Sequence, residues 1–169
     1  RPVSAPAAPA TSDPAGTTIS SSTIGNGGTS DVSEDTLSAP SLTDINGTLT
    51  VENTNTFVEA SALENVSSGL RVETDASVIA GGSNELTVGD GVSVQNDSRL
   101  EFASSVVVEG ATTVTDGGGG SSTLLLNDAG TFNGSFDIDG GSSAIFNFIT
   151  AFNEAVGVTD ATMTFATPG

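Results

Sequence analysis

The sequence predicts an all-β protein, an irregular parallel β-helix (β-solenoid) with an extended N-terminal arm. The main observation is a short apolar-x-apolar motif that returns between Thr48 and Phe148, each time after a turn of Gly, Ser, Asn or Asp. Alternation with a period of two is typical of half-buried strands. The apolar content is only 36%, with no Trp and no Tyr. Such a composition favours many thin strands over one thick core.

Residues 1–36 are predicted to form the extended arm. Four of the six prolines lie between Pro2 and Pro14, among Ala and Ser residues. This composition favours an extended, polyproline-like chain. Because such a segment stays disordered unless something holds it, we expect it to lie along its own domain or along a neighbouring copy.

Residues 37–169 are predicted to form a single β-rich domain, which suits a chain of 169 residues. The apolar motif returns at unequal intervals along the sequence. A β-helix tolerates this, because inserted residues loop out at its corners while the inward side chains stay stacked. The segment from Phe57 to Leu63 fits either a strand or a short helix. The clearest copies of the motif are Leu49-Thr50-Val51, Leu70-Arg71-Val72, Leu86-Thr87-Val88, Leu100-Glu101-Phe102, Leu124-Leu125-Leu126 and Ile145-Phe146.

From about residue 144 the chain becomes rich in Phe. A solenoid needs a closing element over its last coil, so this end is predicted to be a cap. An ordinary core hairpin explains the same residues equally well. Within this end, residues 152–156 fit a short helical turn as well as a strand.

The composition excludes several classes of function. The chain has three Arg, no Lys and a net charge of −18, so it lacks the positive surface that nucleic acids require. With no Cys and no His, disulfides, thiolate nucleophiles and Ser-His-Asp triads cannot form. The sequence contains no run of 18 apolar residues, so it predicts no membrane-spanning helix.

No residue pattern in the chain predicts catalysis. Sugar hydrolysis needs two facing carboxylates, but the strand-associated acidic residues are predicted to face outward and none forms a marked pair. We therefore predict that the protein is not an enzyme. The acidic residues concerned are Glu52, Glu73, Glu85 and Glu101.

Calcium is the only cofactor that the sequence suggests. Asp137 and Asp139 form an Asp-x-Asp-Gly segment, and Asp90 lies in Gly-Asp-Gly. Carboxylates at such spacing are typical calcium ligands. Asp-Gly is also common in tight turns, so plain turns explain both segments too. The loop Gly117–Gly120 lacks the Lys of a phosphate-binding loop and is predicted to be a flexible corner.

The segments Gly69-Leu-Arg-Val-Glu-Thr, Asn84-Glu-Leu-Thr-Val-Gly-Asp-Gly-Val-Ser-Val and Ser98-Arg-Leu-Glu-Phe resemble the β-helical passenger segments of autotransporter and haemagglutinin-type adhesins. The resemblance implies an extracellular, elongated, right-handed parallel β-helix used for adhesion or assembly. Because Arg1 is not an initiator Met, we expect a processed form from which a signal peptide has been removed.

The leading functional hypothesis is a secreted, acidic structural subunit that self-assembles into an extracellular filament, fibre or surface matrix. In it the N-terminal arm docks on a neighbouring subunit by adding backbone hydrogen bonds. The alternative is a carbohydrate- or receptor-binding adhesin or fibre module at the cell surface. A third hypothesis, a β-sandwich or jelly-roll pilin-like subunit, fits the alternating strands as well.

Overall fold

The computed structural model describes residues 17–19, 22–25, 36–118 and 120–166, with side chains from residue 38 onward. These residues form strands joined by turns and contain no helix. The strands are β1 (Thr17–Ile19), β2 (Ser22–Gly25), β3 (Thr36–Ser38), β4 (Leu42–Ile45), β5 (Leu49–Glu52), β6 (Phe57–Ala60), β7 (Asn65–Val66), β8 (Leu70–Glu73), β9 (Ser77–Ala80), β10 (Leu86–Val88), β11 (Val92–Gln95), β12 (Arg99–Phe102), β13 (Val106–Val108), β14 (Thr112–Thr115), β15 (Thr123–Leu126), β16 (Gly130–Phe132), β17 (Phe136–Asp139), β18 (Ser143–Phe146), β19 (Thr150–Phe152), β20 (Val156–Thr159) and β21 (Thr162–Phe165).

The strands build three parallel sheets of seven strands each, and every third strand belongs to the same sheet. Sheet A runs from β1 to β19, sheet B from β2 to β20, and sheet C from β3 to β21. We call each set of three consecutive strands a coil, so that coil 1 is β1–β3 and coil 7 is β19–β21. The predicted β-solenoid is confirmed. A β-sandwich or jelly-roll is antiparallel, so the parallel pairing excludes that alternative.

Alternating side chains form the core of the solenoid. In β11 the burial alternates, with Val92 and Val94 buried between half-exposed neighbours. Because successive strand residues point to opposite faces, the buried residues of stacked strands form continuous inward columns. One column ends in larger residues than it begins with: Ile45, Val66, Val88, Val108, Phe132 and Phe152.

The true repeat is more regular than the motif suggested. Along sheet B, Leu49 pairs with Leu70, which in turn pairs with Val92, so these two steps are almost equal in length. The motif copies gave shorter and more uneven steps because they lie on different sheets. Leu86 begins a strand of sheet A, whereas Leu100 lies on sheet C.

The segment predicted to be an arm contains the first two strands. Strand β1 pairs with β4, and β2 pairs with β5, both in parallel. Residues 17–19 and 22–25 therefore take part in coil 1. Residues 1–16, which hold the first four prolines, lie outside the described residues.

Neither of the two segments with an open choice between helix and strand forms a helix. Phe57–Ala60 forms β6, which pairs with β9, and its alternating burial buries Val58 and Ala60. Farther along, Phe152 ends β19 and Val156 begins β20. The helical alternatives are wrong, because inward stacking on the previous coil requires a period of two. The Phe-rich end from about residue 144 continues the three sheets as β18–β21.

The corner between sheets B and C has a left-handed backbone. The residue after each sheet B strand has a positive φ in five of the six coils from coil 2 to coil 7. These residues are Asn53 (83°), Thr74 (62°), Asn96 (54°), Gly140 (64°) and Asp160 (49°). Asn, Asp and Gly adopt this conformation at low cost, but a β-branched residue does not. Thr74 is therefore the strained member of the column.

Replacing Thr74 with Asn is expected to stabilise the protein by about 1 kcal/mol, because it relieves a left-handed β-branched residue. Asn already occupies the equivalent corner position in coils 2 and 4. Chemical denaturation followed by circular dichroism measures the change. The matched control is Thr54→Asn at the same corner of coil 2, because the φ of Thr54 itself is not positive, although its neighbours Asn53 and Asn55 have positive φ. Equal shifts in both variants would contradict the strain argument.

Candidate functional site

The predicted calcium ligands lie in two places on the outer surface. Asp137 and Asp139 both point outward from β17, on either side of buried Ile138. Asp90 is exposed at the corner between β10 and β11, two coils earlier. Adjacent strands lie about 4.8 Å apart, so Asp90 cannot share an ion with the β17 pair.

Within the described residues, no three His, Cys, Asp or Glu side chains form a group that could hold a metal ion. Asp137 and Asp139 alone would supply two carboxylates, whereas calcium takes 6–8 oxygen ligands. Calcium binding at these residues stays a prediction.

The glutamates considered for catalysis lie on the outer surface, and the structure places one pair of them, Glu52 and Glu73, on adjacent strands, which no pattern in the sequence marked. Glu52 and Glu73 are paired in register on β5 and β8, and Glu73 accepts a salt bridge from Arg71 Nε at 3.2 Å. Glu101 forms a salt bridge with Arg99 at 3.0 Å. Glu85 is exposed in the turn before β10. The two ion pairs are partly exposed, so each contributes little stability.

The glycine-rich loop after β14 is tied back to the corner. The backbone N–H of Gly118 donates to Asp116 Oδ1 at 3.2 Å, within the loop's own coil. The N–H of Ser121 donates to Asp97 Oδ1 at 2.7 Å, across to the previous coil. These carboxylates accept protein hydrogen bonds, which anchors both ends of the loop.

Two columns of amide side chains join neighbouring coils on the outside. At the corner between sheets A and B, Asn133 donates to Glu109 at 2.7 Å and accepts from Asn153 at 2.6 Å. At the corner between sheets C and A, Asn127 donates to Glu101 at 2.6 Å and accepts from Asn147 at 3.0 Å. An amide has both a donor and an acceptor, so stacked Asn residues can continue such a column along the solenoid.

The most distinctive surface is the outer side of coil 7, the last coil that the structure describes, which we call the terminal face. It consists of the inward-column residues of coil 7. Three of them are exposed although they point along the core: Val156 by 42%, Val158 by 47% and Phe165 by 54%. Their counterparts one coil earlier are almost fully buried: Phe136, Ile138 and Phe146.

Aromatic rings continue the core into the terminal face. Phe165 stacks on Phe146 with ring centroids 5.1 Å apart and an interplanar angle of 18°. Phe152 stacks on Phe132 at 5.4 Å and 12°. Aromatic pairs at these separations stabilise beyond their buried area. The terminal face is therefore an ordered cross-section of the core.

Among the described residues, no further strand pairs with the outer edges of this coil. Strands β19, β20 and β21 are the outer strands of sheets A, B and C. The outer strand of a sheet presents a row of N–H and C=O groups that can pair with another strand. The terminal face thus combines apolar side chains with three parallel strand edges. The sequence signal for it is the Phe-rich end from about residue 144, which the sequence predicts to be a cap.

A second apolar patch lies beside the terminal face, on the outer surface of coils 5 and 6. Leu125 and Ile145 are paired in register on the outside of sheet C. Phe148 and Ile149, in the following turn, are 51% and 80% exposed. We call these four residues the side patch.

Comparisons with protein-family models, with curated proteins and with solved structures each found no match. Within the described part of the chain, no helix is long and apolar enough to cross a membrane.

Proposed function

We propose that the protein is a non-enzymatic structural subunit that assembles with copies of itself into an extracellular fibre or surface matrix. The observation behind this proposal is the terminal face, where Val158 and Phe165 are exposed beside the open edges of all three sheets. Exposed strand edges are templates for pairing with another chain. Head-to-tail contacts that do not close into a ring propagate as filaments.

The charge of the chain gives the proposed assembly a salt dependence. A net charge of −18 makes copies repel one another at low ionic strength. Raising the ionic strength shortens the Debye length from about 30 Å at 0.01 M to about 8 Å at 0.15 M. Assembly is therefore favoured at physiological salt.

The proposal includes a role for the N-terminal arm. Residues 1–16 are rich in Pro and Ala and contain one carboxylate, Asp13, and one Arg. Such a segment can add to a neighbouring subunit in an extended conformation. Its removal must be designed around coil 1, because residues 17–25 contain β1 and β2. A cut before Thr17 removes the first four prolines and keeps both strands.

Negative-stain electron microscopy of the purified chain tests the function, at 10 mM and 150 mM salt and with and without millimolar calcium. We expect regular filaments at 150 mM salt, and weaker assembly when residues 1–16 are deleted. Dispersed particles under every condition would contradict the structural role. Filaments unchanged by the deletion would contradict the role of the arm alone.

The side patch favours a second candidate function, a carbohydrate- or receptor-binding module. Exposed residues such as Phe148 and Ile149 form apolar surface of the kind that marks binding sites. In this case the protein would remain dispersed, and Phe148→Ala with Ile149→Ala would abolish binding in a glycan or receptor screen.

A further inference from the structure

We propose that the terminal face binds coil 1 of a second copy, so that all three sheets continue from one subunit into the next. This inference rests on the proposed function and specifies its contact. Strands β19, β20 and β21 would pair in parallel with β1, β2 and β3 of the second copy.

The occupant follows from the topology of the two ends. One end of sheets A, B and C is formed by β1, β2 and β3, and the other end by β19, β20 and β21. Both coils run through the sheets in the same order and all strands are parallel. A second copy translated along the axis therefore presents its three edges to the terminal face in the matching order and direction.

The stacking of coil 7 on coil 6 within one chain is an example of the pairing proposed between two copies. Strand β18 pairs with β21 along its full length, and β17 pairs with β20 in the same way. This stacking buries Phe146 and Ile138 almost completely. One more coil placed on β19–β21 would cover Phe165 and Val158 likewise, because these residues continue the same inward columns.

Coil 7 contributes few charges to this contact. Coil 7 contains two carboxylates, Glu154 and Asp160, and both lie in the exposed turns between strands. The inward residues of its strands are apolar, including Phe152 and Met163. The sequence between β2 and β3 adds three more carboxylates to coil 1, Asp31, Glu34 and Asp35, so the contact carries repulsion that salt would screen.

Continuous stacking fixes the dimensions of the filament. Seven coils at a strand spacing of about 4.8 Å give an axial rise of about 34 Å per subunit. Electron cryomicroscopy of the filaments measures this rise directly. A larger rise would mean that the sheets are not continuous, as in assembly through the arm alone. That result would overturn this inference and leave self-assembly intact.

The side-chain test is Val158→Asp, with Thr159→Asp as its matched control. Val158 points along the core and is 47% exposed at the terminal face, whereas Thr159 is paired with outward-facing Asp139. Burying the new carboxylate at position 158 is expected to raise the critical concentration for assembly roughly 100-fold. The same charge at position 159 stays in solvent and is expected to change it less than about threefold.

Mixing distinguishes a damaged face from a misfolded subunit. Val158→Asp retains coil 1, so it can add to the terminal face of a wild-type filament and then block further growth. At about one part in ten it is expected to shorten wild-type filaments, whereas Thr159→Asp is expected to co-assemble without shortening them. Phe165→Asp and its outward neighbour Thr164→Asp form a second pair on sheet C.

The outcomes separate this inference from the proposed function. Equal critical concentrations for Val158→Asp and Thr159→Asp would overturn the terminal-face contact. Normal filament assembly by all four variants would also overturn the terminal-face contact, but it would not contradict the proposed structural role. A wild-type chain that stays monomeric at every salt concentration would overturn both.

Discussion

Replacing Phe146 with Ala is expected to lower the free energy of unfolding by about 3–5 kcal/mol. The Phe146 side chain is fully buried and contacts four other rings. Its centroid lies 5.1 Å from Phe165, and the other three distances are 5.5 Å to Phe152, 5.7 Å to Phe136 and 6.3 Å to Phe132. Removing it leaves a cavity between coils 5 and 7 and removes these aromatic contacts.

Circular dichroism during urea denaturation measures this loss, because the chain has no Trp or Tyr for intrinsic fluorescence. Each coil contacts its neighbours only, so hydrogen exchange should increase in residues 130–165 and stay slow in coils 2 and 3. Phe148→Ala is the control. That ring is 51% exposed in the turn after β18, and its loss is expected to cost less than about 0.5 kcal/mol. Equal destabilisation by the two variants would contradict the aromatic-core interpretation.

The fold class was predictable because alternation is a local property of the sequence. Strands such as Leu70–Glu73 and Val92–Gln95 have clear period-two patterns, and their inward residues are buried as expected. The repeat of one full coil was harder to detect. Similar apolar motifs occur on all three sheets, so neighbouring copies in the sequence do not occupy equivalent positions in the structure.

The limits of coil 1 could not be predicted from the sequence. Thr17–Ile19 and Ser22–Gly25 follow a Pro-rich segment and have no clean alternation. Their pairing with β4 and β5 is a long-range property, which local composition does not encode. Composition predicts an extended arm over residues 1–36, whereas paired strands already begin at Thr17.

The candidate site was only partly visible in the sequence for a related reason. The Asp-Gly segments predict calcium ligands because they match a local motif, yet Asp90 and Asp137 lie on different coils. The terminal face has no motif, because it consists of ordinary core residues. Val158 and Phe165 differ from Ile138 and Phe146 chiefly in having no coil of the described chain above them.

Removing one whole coil is expected to preserve the fold, whereas removing part of a coil is expected to destroy it. Deletion of residues 86–105, the whole-coil deletion, starts at Leu86 and stops just before Val106, the residue that pairs with Leu86 in register. Strands β13, β14 and β15 would then stack on β7, β8 and β9, and each sheet would remain continuous. Stability should fall by the contribution of one coil and its interface.

Deletion of residues 86–95, the part-coil deletion, is the matched comparison. It removes β10 and β11 and leaves β12, so every later strand would have to pair with a strand of a different sheet. Inward side chains would lose their columns from coil 4 onward. We expect the whole-coil deletion to give a β-sheet circular dichroism spectrum and a cooperative unfolding transition, and the part-coil deletion to lose the transition of the C-terminal coils.

The axial rise of filaments provides a second measurement on the two deletion variants. If copies stack end to end, the whole-coil deletion should shorten the axial rise by the thickness of one coil, about 4.8 Å. Continuous sheets are indicated when this decrease occurs together with a wild-type rise of about 34 Å. A folded whole-coil deletion whose filaments keep the wild-type rise would show that subunits meet through another surface. Loss of folding in both deletions would instead contradict the independence of neighbouring coils.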